Sequence, residues 1–240
     1  MKVNEMFYSI QGESTYAGWP CAFVRLTGCN LRCGYCDTPY AYQEGQERTI
    51  EQIMVQVKQL HDPKRCAGRS QSANAEPRCS QTETKELKSR APLVEITGGE
   101  PMLQEGVHAL MSALLLEGYR VLLETNGSLD LSGVDERVIR IIDVKCPGSG
   151  MSENVCWPNL ALARESDEFK FVLSDRRDYQ WAKAVLSDYQ LSTRCTVLLS
   201  TVFEELAPRE VVQWILEDHL AVRFQLQMHK MIWSPDRRGV

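Results

Sequence analysis

At 240 residues, 43% hydrophobic and 25% charged, the chain is long enough for one catalytic domain over 1–240 with a continuous core, and too short for two large ones. A formal charge of -5 argues against a broad nucleic-acid footprint, which needs a basic surface over the phosphates, and leaves a small molecule as the expected partner. Residues 1–13 hold no apolar signal core and no stretch approaches the roughly 18 apolar residues of a membrane span, so a cytoplasmic setting without membrane contact is expected.

Short β-rich runs alternate with segments of helical period. Strands are predicted at 21–26, 93–97, 120–125, 138–145, 168–173, 196–200 and 222–227. The first predicted helix, 50–60, sets Ile50, Ile53, Met54, Val57 and Leu60 on one face, with Thr49 and Gln52 spaced as a capping box. Others are predicted at 104–117, 176–189 and 208–219, the last with Pro208 at a first helical position. Successive βα units predict an α/β fold, an incomplete βα barrel rather than an antiparallel sandwich, with ligands at the carboxyl ends of the strands. Residues 64–90 break this order: polar, with seven basic and three acidic residues, they read as a mobile insertion. Cys66 and Cys79 lie inside it without close spacing, and no cluster is assigned to them.

Nine cysteines, three of them within eight positions, point to metal binding in a reducing compartment rather than to a disulfide framework. Cys21, Cys146, Cys156 and Cys195 stand singly beside apolar segments and read as buried structural thiols. Cys29-x3-Cys33-x2-Cys36 places three soft ligands on one loop after a strand, a set that selects zinc or an iron-sulfur cluster. A closed zinc site wants a fourth ligand, for which His61 or Cys66 would have to serve; three thiolates on a cuboidal cluster instead leave one iron open.

Other motifs also follow apolar runs. Gly98 and Gly99 permit close backbone approach, and Glu100 can accept hydrogen bonds or simply order a turn. Glu124 and Asn126 can bond hydroxyls or form a plain Asn-Gly turn, and Asp143-Val144-Lys145 offers ligand contacts or a rim ion pair. Arg25, charged within the run 23–26, needs a partner because its burial is costly. Lys170 alternates with Phe169 and Phe171 and is placed toward the interior, outside the candidate site.

The three-cysteine spacing, with Tyr35 before the third cysteine and Gly98-Gly99-Glu100-Pro101 after the next strand, resembles the radical S-adenosylmethionine superfamily. Phe7-Tyr8-Ser9-Ile10-Gln11-Gly12-Glu13-Ser14, residues 23–31, Cys36-Asp37-Thr38, Thr97-Gly98-Gly99-Glu100-Pro101, Asp143-Val144-Lys145 and Gln227-Met228-His229-Lys230 resemble the 7-carboxy-7-deazaguanine synthase family. The match spans almost the whole chain, departing at Ser14, where glycine is frequent, and at 64–90. The resemblance implies a 4Fe-4S cluster on Cys29, Cys33 and Cys36, and S-adenosylmethionine held by Tyr35, Cys36, Asp37, Gly99, Glu100, Glu124, Asn126, Asp143, Val144 and Lys145. It implies a pterin substrate on Ile10, Gln11, Gly12, Glu13, Arg25, Thr97 and His229, with Mg2+ on Thr38.

The implied reaction is radical-mediated ring contraction of 6-carboxy-5,6,7,8-tetrahydropterin to 7-carboxy-7-deazaguanine with loss of ammonia, on the route to queuosine. The resemblance also implies a homodimer and an electron donor such as a flavodoxin or ferredoxin. A glycyl-radical activase and a non-catalytic iron-sulfur or zinc module are the alternatives. Neither accounts for Gln11, Glu13, Arg25 and Thr38 together.

Overall fold

The computed structural model describes residues 1–62 and 91–240; the 64–90 insertion, with Cys66 and Cys79, lies outside them. Among the described residues nine strands form one sheet: β1 (Lys2–Ile10), β2 (Pro20–Leu26), β3 (Gln46–Glu47), β4 (Leu93–Gly98), β5 (Arg120–Thr125), β6 (Ile139–Asp143), β7 (Glu168–Leu173), β8 (Thr196–Thr201) and β9 (Arg223–Phe224). Their order is β3-β1-β2-β4-β5-β6-β7-β8-β9. Across the sheet from β2 to β9 every pairing is parallel and follows the chain, as successive βα crossovers require.

β1 and the two-residue β3 are strands that the predicted set did not include. β1 runs antiparallel to β2, Phe7 opposite Phe23, and its partial burial on both faces leaves no clean alternation to read. The predicted strand 138–145 shortens to β6, because Cys146 leads into a 3-10 turn at Pro147–Ser149. The predicted 222–227 shrinks to the two residues of β9, which pair with Leu198 and Leu199.

The helix Ile50–Leu60 starts at a capping box in which Thr49 accepts from the Gln52 amide and the Gln52 side chain answers the Thr49 N–H. The predicted 104–117 helix begins only at Val107, after a 3-10 turn at Pro101–Leu103 that Glu100 caps. The helix Arg176–Tyr189 matches its prediction, and Asp175 caps it through the Arg177 and Asp178 amides. The last long helix, Pro208–Glu217, stops two residues early. No described helix is long and apolar enough to cross a membrane.

Alternation along the strands separates two faces. Val24, Ile96, Leu123, Ile142, Phe171 and Leu199 point into the main core with Ile53, Val57, Leu110, Leu114 and Val185 of the helices. Each fully buried side chain of this kind contributes about 1.5–3 kcal/mol. On the other face Cys21, Phe23, Leu93, Leu122 and Ile141 form an apolar floor that Phe7 and Tyr16 pack against. Further along these four strands, toward their carboxyl ends, stand Arg25, Thr97, Glu124 and Asp143, with Lys170 of β7 beside Asp143.

Candidate active site

The cysteine loop leaves β2 already fastened. Thr27 N donates to Lys2 O at 2.9 Å and Gly28 N to Ala41 O at 2.9 Å. Further on, Gly34 N donates to Ser149 O at 3.1 Å, and the Arg32 guanidinium donates back to Cys29 O (2.8 Å) and Leu31 O (2.6 Å) while lying 4.2 Å over the Tyr42 ring. Cys29, Cys33 and Cys36 are free, half-buried thiols. Burial raises the Cys33 thiol, against the pull of Lys145. Cys29 Sγ receives the Leu31 amide at 3.4 Å and the Asn126 side-chain amide at 3.7 Å.

The donor set can be tested against the metals it suggests. His61 cannot complete a zinc site, because its ring sits between Val57 O (3.0 Å) and Leu93 O (3.2 Å). Leu93 begins β4, at the opposite end of the parallel sheet from Cys29. Among the described residues no three His, Cys, Asp or Glu side chains close around one ion. A single zinc with bonds of about 2.3 Å would draw its ligands to within about 4 Å of one another. Three thiols on one loop, with no fourth ligand beside them among the described residues, fit a cuboidal cluster with one open iron.

The turn after β4 lies directly on this loop. A Cβ at Gly99 would run into the Gly28 carbonyl and stand 2.8 Å from Cys29 Cβ, so only glycine permits the approach. Glu100 N donates to Gly28 O at 2.7 Å. The Glu100 carboxylate is buried and turned inward, accepting from Met102 N (2.9 Å), Thr125 Oγ1 (2.9 Å) and Asn126 N (2.7 Å). It therefore ties the β4 turn to the β5 turn. Asn126 continues the link, donating to Asn30 Oδ1 at 3.1 Å. Tyr35 sends its hydroxyl to Val172 O at 3.3 Å, and Val144 N donates to Lys170 O at 2.8 Å.

Asp143 pairs through Oδ2 with Lys145 at 2.9 Å, while its Oδ1 is buried with no hydrogen-bond partner among the described residues. An orphaned carboxylate oxygen beside the cysteine loop suits a hydroxyl or ammonium of a bound ligand. Burial opposes the Lys145 charge, yet Asp143 and then Cys33 hold its pKa above the ordinary lysine range. Asp37, partly exposed, pairs with Lys230 at 3.1 Å; burial opposes its charge too, but Lys230 outweighs it and lowers its pKa.

The polar chamber lies above the apolar floor. Arg25 donates through Nε to Glu5 Oε1 at 2.8 Å, and Tyr40 donates to the same oxygen at 3.0 Å. Nε is thereby engaged and the terminal fork of the guanidinium carries no hydrogen bond among the described residues. Thr97 gives its hydroxyl to Glu124 Oε2 at 3.0 Å, and Lys170 Nζ lies 2.6 Å from Glu124 Oε1 and 2.8 Å from Glu13 Oε2. Glu13 also accepts from Gln227 at 2.9 Å.

Gln11 is buried, with Nε2 on Glu95 Oε2 at 2.5 Å and Oε1 taking the Glu13 amide. Ile10 ends β1, and Gly12 lies against His229, whose pKa burial lowers in spite of Glu13 and Asp37. Most predicted site residues lie on the carboxyl-end side of the sheet, whereas Ile10, opposite Pro20 at the start of β2, opens a turn at the other end from which Gln11 and Glu13 reach over the sheet to Glu95 and Lys170. Glu5, Tyr40 and Glu95 were not singled out from sequence, although Glu95 shares the parity of Thr97 in β4, and Gln227 entered only as part of the terminal motif.

Full-length relatives decide the family. Proteins called 7-carboxy-7-deazaguanine synthase match at 44% identity from Chlorobaculum tepidum (100% of this chain, 97% of that one) and at 37% from Koribacter versatilis (100% of both). The chain belongs to the 7-carboxy-7-deazaguanine synthase family. No family model matches it. Among solved structures, the crystal structure of QueE from Escherichia coli superposes with a TM-score of 0.68 at 20% identity, over 95% of this chain and 94% of that one. Streptococcus suis SuiB bound to precursor peptide SuiA reaches 0.53 at 11% identity, over 84% of this chain and 47% of that one. At these identities the likeness shows a shared fold, a mixed α/β sheet.

Proposed function

We propose that the chain acts as a 7-carboxy-7-deazaguanine synthase, contracting 6-carboxy-5,6,7,8-tetrahydropterin to 7-carboxy-7-deazaguanine with loss of ammonia, on the route to queuosine. One observation carries the reading: the three-thiol loop meets, at one set of strand ends, a chamber holding the free Arg25 fork and the Glu13 carboxylate. When bound, a 4Fe-4S cluster on Cys29, Cys33 and Cys36 together with S-adenosylmethionine supplies a 5'-deoxyadenosyl radical, and hence abstraction of a substrate hydrogen atom.

The chain's own residues bind and orient. The Arg25 fork receives the substrate carboxylate in two parallel bonds, with Glu5 and Tyr40 holding its inner edge. Glu13 accepts from the amidine-like edge of the pterin, Thr97 bonds the ring, and Ile10, Gln11, Gly12 and His229 wall the pocket. Gly99 and Glu100 present backbone to the cofactor, while Tyr35, Cys36, Asp37, Glu124, Asn126, Asp143, Val144 and Lys145 border it. Asp143 Oδ1 is the atom with most to gain from such a ligand. The Thr38 hydroxyl would hold Mg2+, with the remaining ligands coming from substrate and water.

The open sheet then serves as the incomplete βα barrel of a single cytoplasmic catalytic domain, dimeric and reduced by a flavodoxin or ferredoxin. The test is anaerobic incubation of reconstituted protein with S-adenosylmethionine, reductant and 6-carboxytetrahydropterin, with products read by mass spectrometry. Cleavage of S-adenosylmethionine without formation of the deazaguanine would defeat the substrate assignment.

A further inference from the structure

Lys170 stands in the middle of β7, only 4% exposed, between the two groups of residues assigned above to different ligands. Its ammonium lies 2.8 Å from Glu13, on the turn before β2, 2.6 Å from Glu124, at the end of β5, and 3.6 Å from Asp143, at the end of β6. An ammonium has three donors, and three carboxylates surround this one. The chain of contacts continues at both ends: Glu124 accepts from Thr97, and Glu13 accepts from Gln227 next to the His229 segment. No second cation bonds Glu13 or Glu124 among the described residues. Without Lys170 the two carboxylates would share a buried chamber as unpaired like charges, which neither tolerates.

We propose that Lys170 is a positioning residue that couples pterin binding to S-adenosylmethionine binding, an inference that rests on the assignment of Glu13 to the pterin and Glu124 to the cofactor. When the cofactor's hydroxyls engage Glu124, the shared ammonium is drawn less toward that carboxylate and holds Glu13 more firmly. Glu13 is then fixed for the pterin edge. By linkage the effect is reciprocal.

The test measures 6-carboxytetrahydropterin binding by anaerobic calorimetry to the cluster-loaded protein, with and without S-adenosylmethionine, in the parent, Lys170→Met and Lys170→Arg. The parent is expected to bind the pterin at least about fivefold tighter when the cofactor is present. In Lys170→Met that factor falls to near one, with cluster content kept and more 5'-deoxyadenosine released per product. Lys170→Arg, which keeps the charge in a bulkier planar group, falls between. Absence of the factor in the parent, or its full retention in either variant, overturns the proposal. If Lys170→Met does not fold, Lys170→Arg decides alone. A parent that shows the factor but forms no deazaguanine defeats the functional reading and leaves the coupling standing.

Discussion

A Cβ on Gly12 would stand 2.7 Å from Nδ1 of His229 and 3.2 Å from its backbone nitrogen, so the turn after β1 and the segment after β9 touch through a residue without a side chain. Met228 N donates to Gly12 O at 2.9 Å, which fixes the backbone on both sides of the contact. Gly12→Ala is therefore expected to displace His229 and raise KM for the pterin by about tenfold, with iron content unchanged. Steady-state kinetics alongside iron analysis checks this. An unaltered KM would remove His229 from the pocket wall.

Cys29→Ala, Cys33→Ala and Cys36→Ala should each lose the cluster absorbance after reconstitution and all cleavage of S-adenosylmethionine. Cys21→Ala and Cys146→Ala should keep both, because these thiols are fully buried, where desolvation raises their pKa far from thiolate formation. Cys66→Ala with Cys79→Ala is expected to be equally silent. Cluster loss in that pair would bring a fourth ligand from 64–90 into play.

What sequence alone revealed was mostly local. The capping box at Thr49 and the βα succession depend on neighbours within a few positions, and both stand in the fold. Lys170 shows the limit: its strand parity was legible, but Glu13, 157 residues away in sequence, was not. Glu95 carried the same parity signal beside Thr97, yet a glutamate in an apolar run gives no sign that Gln11 will meet it. β1 was missed because its side chains are half-buried on both faces, so neither helical nor strand period stands out.

Thr38 occupies the cap position of the Pro39–Tyr42 turn, yet its hydroxyl makes no capping bond and lies 4.0 Å from Cys36 Sγ. A magnesium ion takes oxygen ligands, and a hydroxyl held only by this long contact to a thiol can turn to one. Thr38→Ala should keep its cluster and its affinity for S-adenosylmethionine while losing the stimulation of product formation by magnesium. A magnesium titration of turnover like the parent's would move the ion to other ligands.

Glu95 predicts a pH dependence of stability. Burial, and then the charge of Glu124, raise its pKa well above the usual 4.5, with Gln11 and Lys170 opposing. Between 4.5 and the folded value the native state holds a proton that the unfolded chain has lost, so stability falls as pH rises. One proton gives a slope of up to about 1.4 kcal/mol per pH unit. Glu124 acts with the opposite sign in another window: burial raises its pKa, but Lys170 dominates and lowers it to about 2, so its contribution is lost as pH falls below 4.5. Glu95→Gln should therefore flatten the decline of Tm as pH rises above 4.5. A decline as steep as the parent's would show that Glu95 is ionised in the fold.

Arg140 and Asp167 form a buried pair at the amino-end side of β6 and β7, with side chains 2% and 0% exposed, away from the chamber. Arg140 Nε donates to Asp167 Oδ1 at 2.8 Å, Nη2 pairs with Oδ2, and Nη1 donates to Leu131 O at 3.2 Å. Asp167 also receives the Arg164 amide at 2.7 Å, so the pair closes the loop that leads into β7. Removing one partner leaves an uncompensated charge in the core, a loss of about 3–5 kcal/mol. Asp167→Ala should lower the unfolding free energy obtained from urea titration by that amount, and adding Arg140→Met should recover part of it, since the stranded charge is then gone. Because the pair lies at the far end of the strands from Cys29, protein that remains folded should retain its full cluster content. A loss of cluster larger than the loss of folded protein would show that this end of the sheet also sets the cysteine loop.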